Sequence, residues 1–340
     1  MPPAILNTAV FLIALVIALA ATPLARRAGV RLGLVDLPGG RRKHMGPIAR
    51  IGGVGLFAGF FVTALGLYLA GYVKPEHLRP LAGVLLGTAF VFIVGLFDDR
   101  YELKAWPQFV AQVVAAGIAI AFTVWIQIVH LPFTNLPTTF AWYITFPLTL
   151  LWVVGMMNTV NFLDGLDGLA AGVGAIAAAL FAIHSVSLQQ YEIALYSLAL
   201  CGACVGFLVF NFNPAHVFLG SAGAMTLGFA LATLSILAPA RVMTALLIMV
   251  VPIADTGFQV INRWRRGRSP FQGDRGHLHY RLMDLGLSQR QIVLGYWAFC
   301  GIFGALVLAL PRVYKLVALG VLGMIVLGVL VALSRRRGDD

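Results

Sequence analysis

The chain has 340 residues, of which 60% are hydrophobic and only 11% charged, with a formal net charge of +11. A soluble globular chain is about one quarter charged, so the composition excludes one and points to an integral membrane protein; no polar stretch is long enough to bury a core of its own. The positive balance does not indicate nucleic acid, because the lysines and arginines fall in short loops between apolar runs, where they set topology or meet anionic lipid and phosphate.

Apolar runs of about 20 residues recur along the whole length, the signature of spanning helices rather than of barrel strands. Eleven spans are expected, at 4–23, 52–73, 80–97, 107–126, 141–158, 167–187, 193–211, 217–237, 242–261, 291–310 and 313–333. The reading is an all-α polytopic fold, one transmembrane domain over residues 1–340. Ala18-Leu19-Ala20 has the look of a cleavage site, but nothing basic precedes the first run and Arg26-Arg27 follow it. That polarity is reversed for a cleaved signal peptide, so the first span is read as uncleaved with its amino terminus outside. Cys201, Cys204 and Cys300 all lie inside apolar segments, which suggests neither a disulfide framework nor a zinc site. No internal repeat of the kind that builds inverted-repeat transporters is visible.

The loops 24–51, 98–106, 159–166, 212–216 and 262–290, together with the carboxyl-terminal tail, hold 19 of the lysines and arginines, against 5 in the opposite set. The first set is therefore expected to be cytoplasmic, and the carboxyl terminus with it. Those same loops carry Asp36, His44, Asp98, Asp99, Asn161, Asp164, Asp167, Asn211, Asn213, His216, Asp274, His277 and His279. Charge and chemistry agree on one working face.

Within that face, Asp98-Asp99 follow Phe97 at the carboxyl end of the third span, where carboxylates oppose the helix dipole and a bound cation or basic partner would relieve them. The stretch Asn158-Thr159-Val160-Asn161-Phe162-Leu163-Asp164-Gly165-Leu166-Asp167-Gly168 places two amides and two carboxylates between two spans. Asp164 and Asp167, read at the amino end of the sixth span, could be capping residues there. Capping leaves Asn158, Asn161 and the Asp-Gly-x-Asp-Gly spacing unexplained, and carboxylates three apart on a helix share a face. Asp255, late in the ninth span, faces the bundle interior or water, either to bind substrate or to pair with an arginine of the next loop. That loop is the most basic segment, with Arg263, Arg265, Arg266, Arg268, Arg275 and Arg281 around His277-Leu278-His279. Arginines clamp phosphate oxygens in a fork, and histidines add proton transfer or hydrogen bonds. The glycine- and base-rich stretch from Gly33 to Gly53, with His44, suits a phosphate-facing turn. Acids for a divalent cation, bases for phosphates and a hydrophobic surround for a lipid together suggest an active site joining a soluble diphosphate to a lipid phosphate, with magnesium between them.

Taken together these residues resemble the polyprenyl-phosphate N-acetylhexosamine-1-phosphate transferases, the bacterial branch that starts O-antigen and teichoic-acid linkage units; the enzyme making the first lipid intermediate of peptidoglycan is a more distant relative. The likeness runs nearly end to end, through the Gly33–Gly53 loop, Asp98-Asp99, Asn158–Gly168, Phe218-Leu219-Gly220, Gly267-Arg268-Ser269-Pro270-Phe271 and Asp274-Arg275-Gly276-His277-Leu278-His279. It implies a bacterial plasma-membrane enzyme with a cytoplasmic site. Undecaprenyl phosphate would attack the β-phosphorus of a UDP-sugar, UDP-GlcNAc first among them, and release UMP. The catalytic residues it implies are Asp98, Asp99, Asp164, Asp167, His277 and His279. Substrate contacts fall to His44, Asn158, Asn161, Arg268, Arg275 and Arg281, and magnesium, or manganese in its place, to Asn161 and Asp164. A homodimer is expected on the same ground.

One departure stands out. Where the family reads Gly-Asp-x-Gly-Ser, this chain reads Gly220-Ser221-Ala222-Gly223-Ala224, so a serine replaces an acid that the family uses as a magnesium ligand. Tyr280 likewise stands where a further histidine is common. A non-catalytic or impaired homologue that binds UDP-sugar or lipid phosphate is the alternative to an active transferase. A transporter would need polar groups at mid-membrane and on both faces.

Overall fold

A computed structural model describes residues 3–36, 46–130, 137–237, 241–267 and 276–335. Among these the chain is 80% helical, which bears out the helical class. Helix α1 (Pro3–Arg31) leads to a minimal hairpin, β1 (Val35–Asp36) with β2 (Ile48–Ala49), followed by α2 (Gly53–Leu69), α3 (Pro75–Tyr101) and α4 (Ala105–Ala121). A second hairpin, β3 (Ile128–His130) with β4 (Pro137–Thr139), precedes α5 (Trp142–Leu163), α6 (Leu169–Ser187), α7 (Tyr191–Asn211) and α8 (Gly220–Ile236). The chain closes with α9 (Arg241–Ile248), α10 (Val250–Arg265), the short α11 (Leu278–Asp284), α12 (Gln289–Ala309) and α13 (Arg312–Arg335). Each expected segment falls on a helix, α9 and α10 sharing the ninth. Six helices, α1, α3, α5, α6, α7 and α13, are long and apolar enough to cross a membrane alone, or seven spans if α9 and α10 are one. The two small hairpins were not expected.

Helix α8 is the axis of the bundle. Every residue from Ala222 to Ser235 is buried, and the helix packs against α2, α3, α5 and α6. By contrast, Leu294, Ile302 and Leu306 on α12 and Val317, Val321, Met324 and Ile325 on α13 are exposed, as lipid-facing side chains must be. Several interior hydroxyls are satisfied within their own helix: Thr149 donates to Thr145 O at 2.7 Å, Ser197 to Ile193 O at 2.9 Å and Thr233 to Phe229 O at 2.8 Å. A donor left without a partner in hydrocarbon would be costly, and the turn below supplies one.

Several helix ends overrun the apolar runs that announce them. Helix α1 continues through Arg26 and Arg27 to Arg31, and α3 continues through Asp98-Asp99 to Tyr101. Helix α5 carries on to Leu163, so the expected loop 159–166 shrinks to a turn around 164–168. The ninth span is broken: α9 and α10 meet at Met249 with a bend of 79°. Pro252 explains the position, because its ring displaces the carbonyl four residues back, that of Ile248, and it has no N–H to offer. The loop 262–290 in turn contains α11.

Candidate active site

At one end of the bundle α3, α5 and α8 converge with the β2 segment around a cavity of about 1250 Å³. Its wall includes Asp98, Asp99, Asn161, Asp164, Asp167 and Ser221, so the structure brings together residues singled out in three separate stretches. The main chain sets the corner. Phe218 N donates to Ala49 O at 2.9 Å, Gly52 N to Phe218 O at 3.0 Å and Gly53 N to Leu219 O at 2.9 Å. The 217–221 strand of chain thus runs beside the entry to α2. Gly220 takes φ +70°, and a Cβ there would fall 2.1 Å from Arg50 O and against the Asp99 carboxylate. Only glycine fits both the backbone angle and the space.

The two adjacent aspartates do different work. Asp99 accepts Ser221 N at 2.7 Å on Oδ1 and Ala222 N at 3.1 Å on Oδ2. It caps α8 from outside that helix, whose own N-cap, Leu219, has no side chain to do so. The carboxylate at the unfavourable end of one helix is stabilised by the favourable end of another. Asp98 accepts Leu103 N at 2.9 Å and Gln108 Nε2 at 2.8 Å, both on Oδ1. Its Oδ2 receives no hydrogen bond among the described residues.

Asp164 and Asp167 are not on a helix face together. Asp164 is the C-cap of α5, so the dipole there opposes its charge rather than favouring it, a correction to the sequence reading. Burial first, then the charges of Asp99 and Asp167, push its carboxyl well above the usual carboxylate range. No hydrogen bond reaches it among the described residues. Asp167 is a brace: its Oδ2 accepts Asn213 Nδ2 at 2.9 Å and Ala215 N at 3.0 Å. Asn213 also donates to Gln289 Oε1 at 3.0 Å, and Asn211 Oδ1 accepts Gly168 N at 3.0 Å. Asn158 lies one turn before Asn161 and is engaged elsewhere, donating to Gln112 Oε1 at 2.6 Å across to α4; Asn158 is not among the residues that line the chamber.

The histidine motif forms a second cluster, closed around His277. Asp255, Gln259 and Arg263 recur every four residues on one face of α10 and are all buried. Asp255 Oδ2 lies 2.9 Å from His277 Nδ1, and Oδ1 accepts Leu278 N at 3.0 Å, at the start of α11. His277 Nε2 is 3.2 Å from Arg263 Nη2. Arginine can only donate, so Nε2 accepts and the proton sits on Nδ1, facing Asp255; both ring nitrogens are taken. Asp255 thus meets the histidine rather than pairing first with an arginine. Arg281, expected at the diphosphate, is buried and donates to Gly276 O at 2.6 Å and Leu330 O at 3.1 Å. His279 is 1% exposed, and neither ring nitrogen is hydrogen-bonded among the described residues. Burial first, then His277 stacked beside it at 5.7 Å, drive its pKa down to about 3, so it is neutral. It lies under the chamber floor: a Cβ on Gly165 would fall 2.4 Å from its Nε2. Tyr280 does line the chamber and reaches Gly165 O at 3.4 Å. His44, Arg268, Asp274 and Arg275 fall outside the described residues.

Sequence reasoning missed Glu102, Gln108, Gln112 and Gln259, all single polar residues without a motif around them, and placed Arg50 in the phosphate-facing Gly33–Gly53 stretch without a partner of its own. Each is visible only through its partner.

The profile of glycosyl transferase family 4 matches residues 81–239, from α3 through α8. The chain is 32% identical over 292 residues to a probable undecaprenyl-phosphate N-acetylglucosaminyl 1-phosphate transferase of Bacillus subtilis, covering 84% of this chain and 79% of that one. It is 35% identical over 364 residues to a decaprenyl-phosphate N-acetylglucosaminephosphotransferase of Mycobacterium tuberculosis, covering 97% and 89%. A phospho-N-acetylmuramoyl-pentapeptide-transferase of Halalkalibacterium halodurans is 38% identical over 184 residues, 54% of this chain and 56% of that one.

Proposed function

The chain belongs to glycosyl transferase family 4 and is a phosphoglycosyltransferase, and from that premise we propose that it moves GlcNAc-1-phosphate from UDP-GlcNAc to undecaprenyl phosphate. A lipid phosphate oxygen forms a bond to the β-phosphorus. The bond from that phosphorus to the bridging oxygen breaks, and UMP leaves with the oxygen. The observation that carries the reading is the make-up of the chamber: among the described residues its lining has six carboxylates (Asp36, Asp98, Asp99, Glu102, Asp164 and Asp167) against two arginines, Arg26 and Arg50. A diphosphate enters such a site only with cations.

Magnesium suits it. Asp164 has an open carboxylate whose ionisation burial and neighbouring charges oppose, and a cation is what would relieve it. Among the described residues no three His, Cys, Asp or Glu groups converge as a ready-made metal cage. Magnesium does not require one, because it commonly takes one or two carboxylates and completes its shell with water and substrate phosphate. Asp164 and Asn161 would hold it, and when bound it would neutralise the diphosphate and make the β-phosphorus a better electrophile. Asp98, through its open Oδ2, orients the lipid phosphate and takes its proton where one is present. Asp99 keeps α8 in place, and Asp167 holds the wall formed by 213–215. Phosphoryl transfer asks for little beyond such positioning and neutralisation.

The proposal includes eleven crossings, an outside amino terminus and a cytoplasmic chamber in a bacterial plasma membrane. The 19-to-5 division of lysine and arginine supports it. The impaired homologue stands as a second reading because Ser221 offers a hydroxyl where an acid is expected. Purified protein with UDP-GlcNAc, undecaprenyl phosphate and magnesium is expected to release UMP, to stop in chelator and to gain rate as Ser221→Asp. Activity in Ser221→Asp alone would favour the second reading; none in either, with any UDP-HexNAc, would sink the proposed reaction.

A further inference from the structure

Arg50 stands at the seam between the β2 segment, α3 and α8. Its main chain is fixed: N donates to Leu34 O at 3.0 Å, and O lies against Gly220. Arg50 lines the chamber, whose wall also includes Asp98, Asp99 and Ser221. Nε is 3.4 Å from Asp36 Oδ1, and Nη1 is 2.5 Å from Glu102 Oε1.

The two carboxylates that hold it are unlike. The Asp36 side chain is 5% exposed, that of Glu102 74%. Glu102 is the C-cap of α3 at φ +48°, a left-handed position that glycine or asparagine fills at low cost and glutamate does not. Neither backbone preference nor burial accounts for a glutamate there. On the chamber side its carboxylate occupies the outer edge of Arg50. An exposed ion pair of this kind is weak, whereas a guanidinium meets phosphate as a planar fork with two charge-assisted bonds.

We propose that Arg50 is the phosphate clamp of the chamber: Asp36 anchors it permanently, and Glu102 is a resting counter-ion that an incoming substrate phosphate displaces. In a chamber whose described lining holds so few arginines, a cation reserved in this way is kept from collapsing onto Asp98 or Asp99 before the ligand arrives. The proposal rests on the phosphoglycosyl-transfer reading for the class of its ligand, a phosphate. The residues on the wall do not choose between the lipid phosphate and the nucleotide diphosphate, and the test does.

The full chain in detergent is titrated with UDP and, separately, with farnesyl phosphate, comparing the unaltered protein with Glu102→Gln, Glu102→Gly and Arg50→Lys. Removing the competing carboxylate is expected to tighten one of the two ligands by about threefold, the size of an exposed ion pair. Arg50→Lys is expected to weaken the same ligand by about tenfold, as the fork is lost. The ligand that responds identifies the phosphate. Glu102→Gly, which also removes the backbone strain, should follow Glu102→Gln in binding even if it gains thermal stability. The proposal is overturned if Glu102→Gln weakens binding or leaves both dissociation constants unchanged. Because binding is read rather than turnover, a chain that binds but releases no UMP would count against the proposed reaction and not against the clamp.

Discussion

The acidic chamber and the histidine cluster are a few ångströms apart across Gly165, and they are built on opposite terms. In the chamber the carboxylates are only partly satisfied: Asp98 keeps Oδ2 open, and no hydrogen bond reaches Asp164 among the described residues. In the cluster Asp255, His277, Arg263 and Arg281 are buried and bonded to one another or to main chain. Open acceptors at a cavity wall have something still to bind, and closed ones hold the wall up. Residue type alone does not separate the two, because an aspartate and a histidine in a motif read the same way in either setting.

That contrast can be broken by substitution, and the largest effect should come from the open side. Asp98→Asn preserves shape and both contacts on Oδ1, so UMP release is expected to fall about a thousandfold while the melting temperature stays put. A large melting shift would mean Asp98 belongs with the braces. Asp255→Ala strands His277 and the first N–H of α11, and is expected to cost about 3 kcal/mol of stability, read as denaturant or thermal unfolding in detergent. Were it to remove turnover with the fold unmoved, the cluster would be part of the chemistry after all. Gln112→Leu leaves Asn158 without its partner across α4 and α5 and should cost about 2 kcal/mol; an activity loss larger than the stability loss would return Asn158 to the site.

The smallest effect is one of pH. His279 falls from an ordinary 6.5 to about 3 in the folded chain, so the unfolded chain binds the extra proton first. Its contribution is complete above 6.5 and is lost as pH falls toward 3. Between pH 7 and 5 the unaltered protein should therefore lose more stability than His279→Gln. Equal slopes would show that the ring is not buried neutral.

Much of this was legible in the chain. Twenty-residue apolar runs announced the helices, and polar residues clustered at their ends announced Asp98, Asp99, Asp164 and Asp167. What escaped had physical reasons. Helices did not stop where hydrophobicity stopped, since arginine and aspartate sustain a helix well enough once outside the hydrocarbon; α1, α3 and α5 all overran, and the dipole argument for Asp164 was inverted in consequence. The bend at Met249 was signalled by Pro252 alone. Arg50 and Glu102 are 52 residues apart, and nothing in the Gly33–Gly53 stretch that holds Arg50 points to Glu102, so their pairing exists only in the fold.

Helix α8 presents no side chain to lipid between Ala222 and Ser235, and this bears on which membranes the protein tolerates. A thicker or thinner bilayer acts on hydrophobic length, and helices answer it by tilting. The exposed apolar faces of α12 and α13 must take up that tilt, while α8, tied to α3 through Asp99 and screened from lipid along Ala222–Ser235, has no lipid contact to adjust. The chamber is thereby insulated from lipid composition, and bilayers of differing acyl-chain length should alter the stability of the outer helices before they alter turnover.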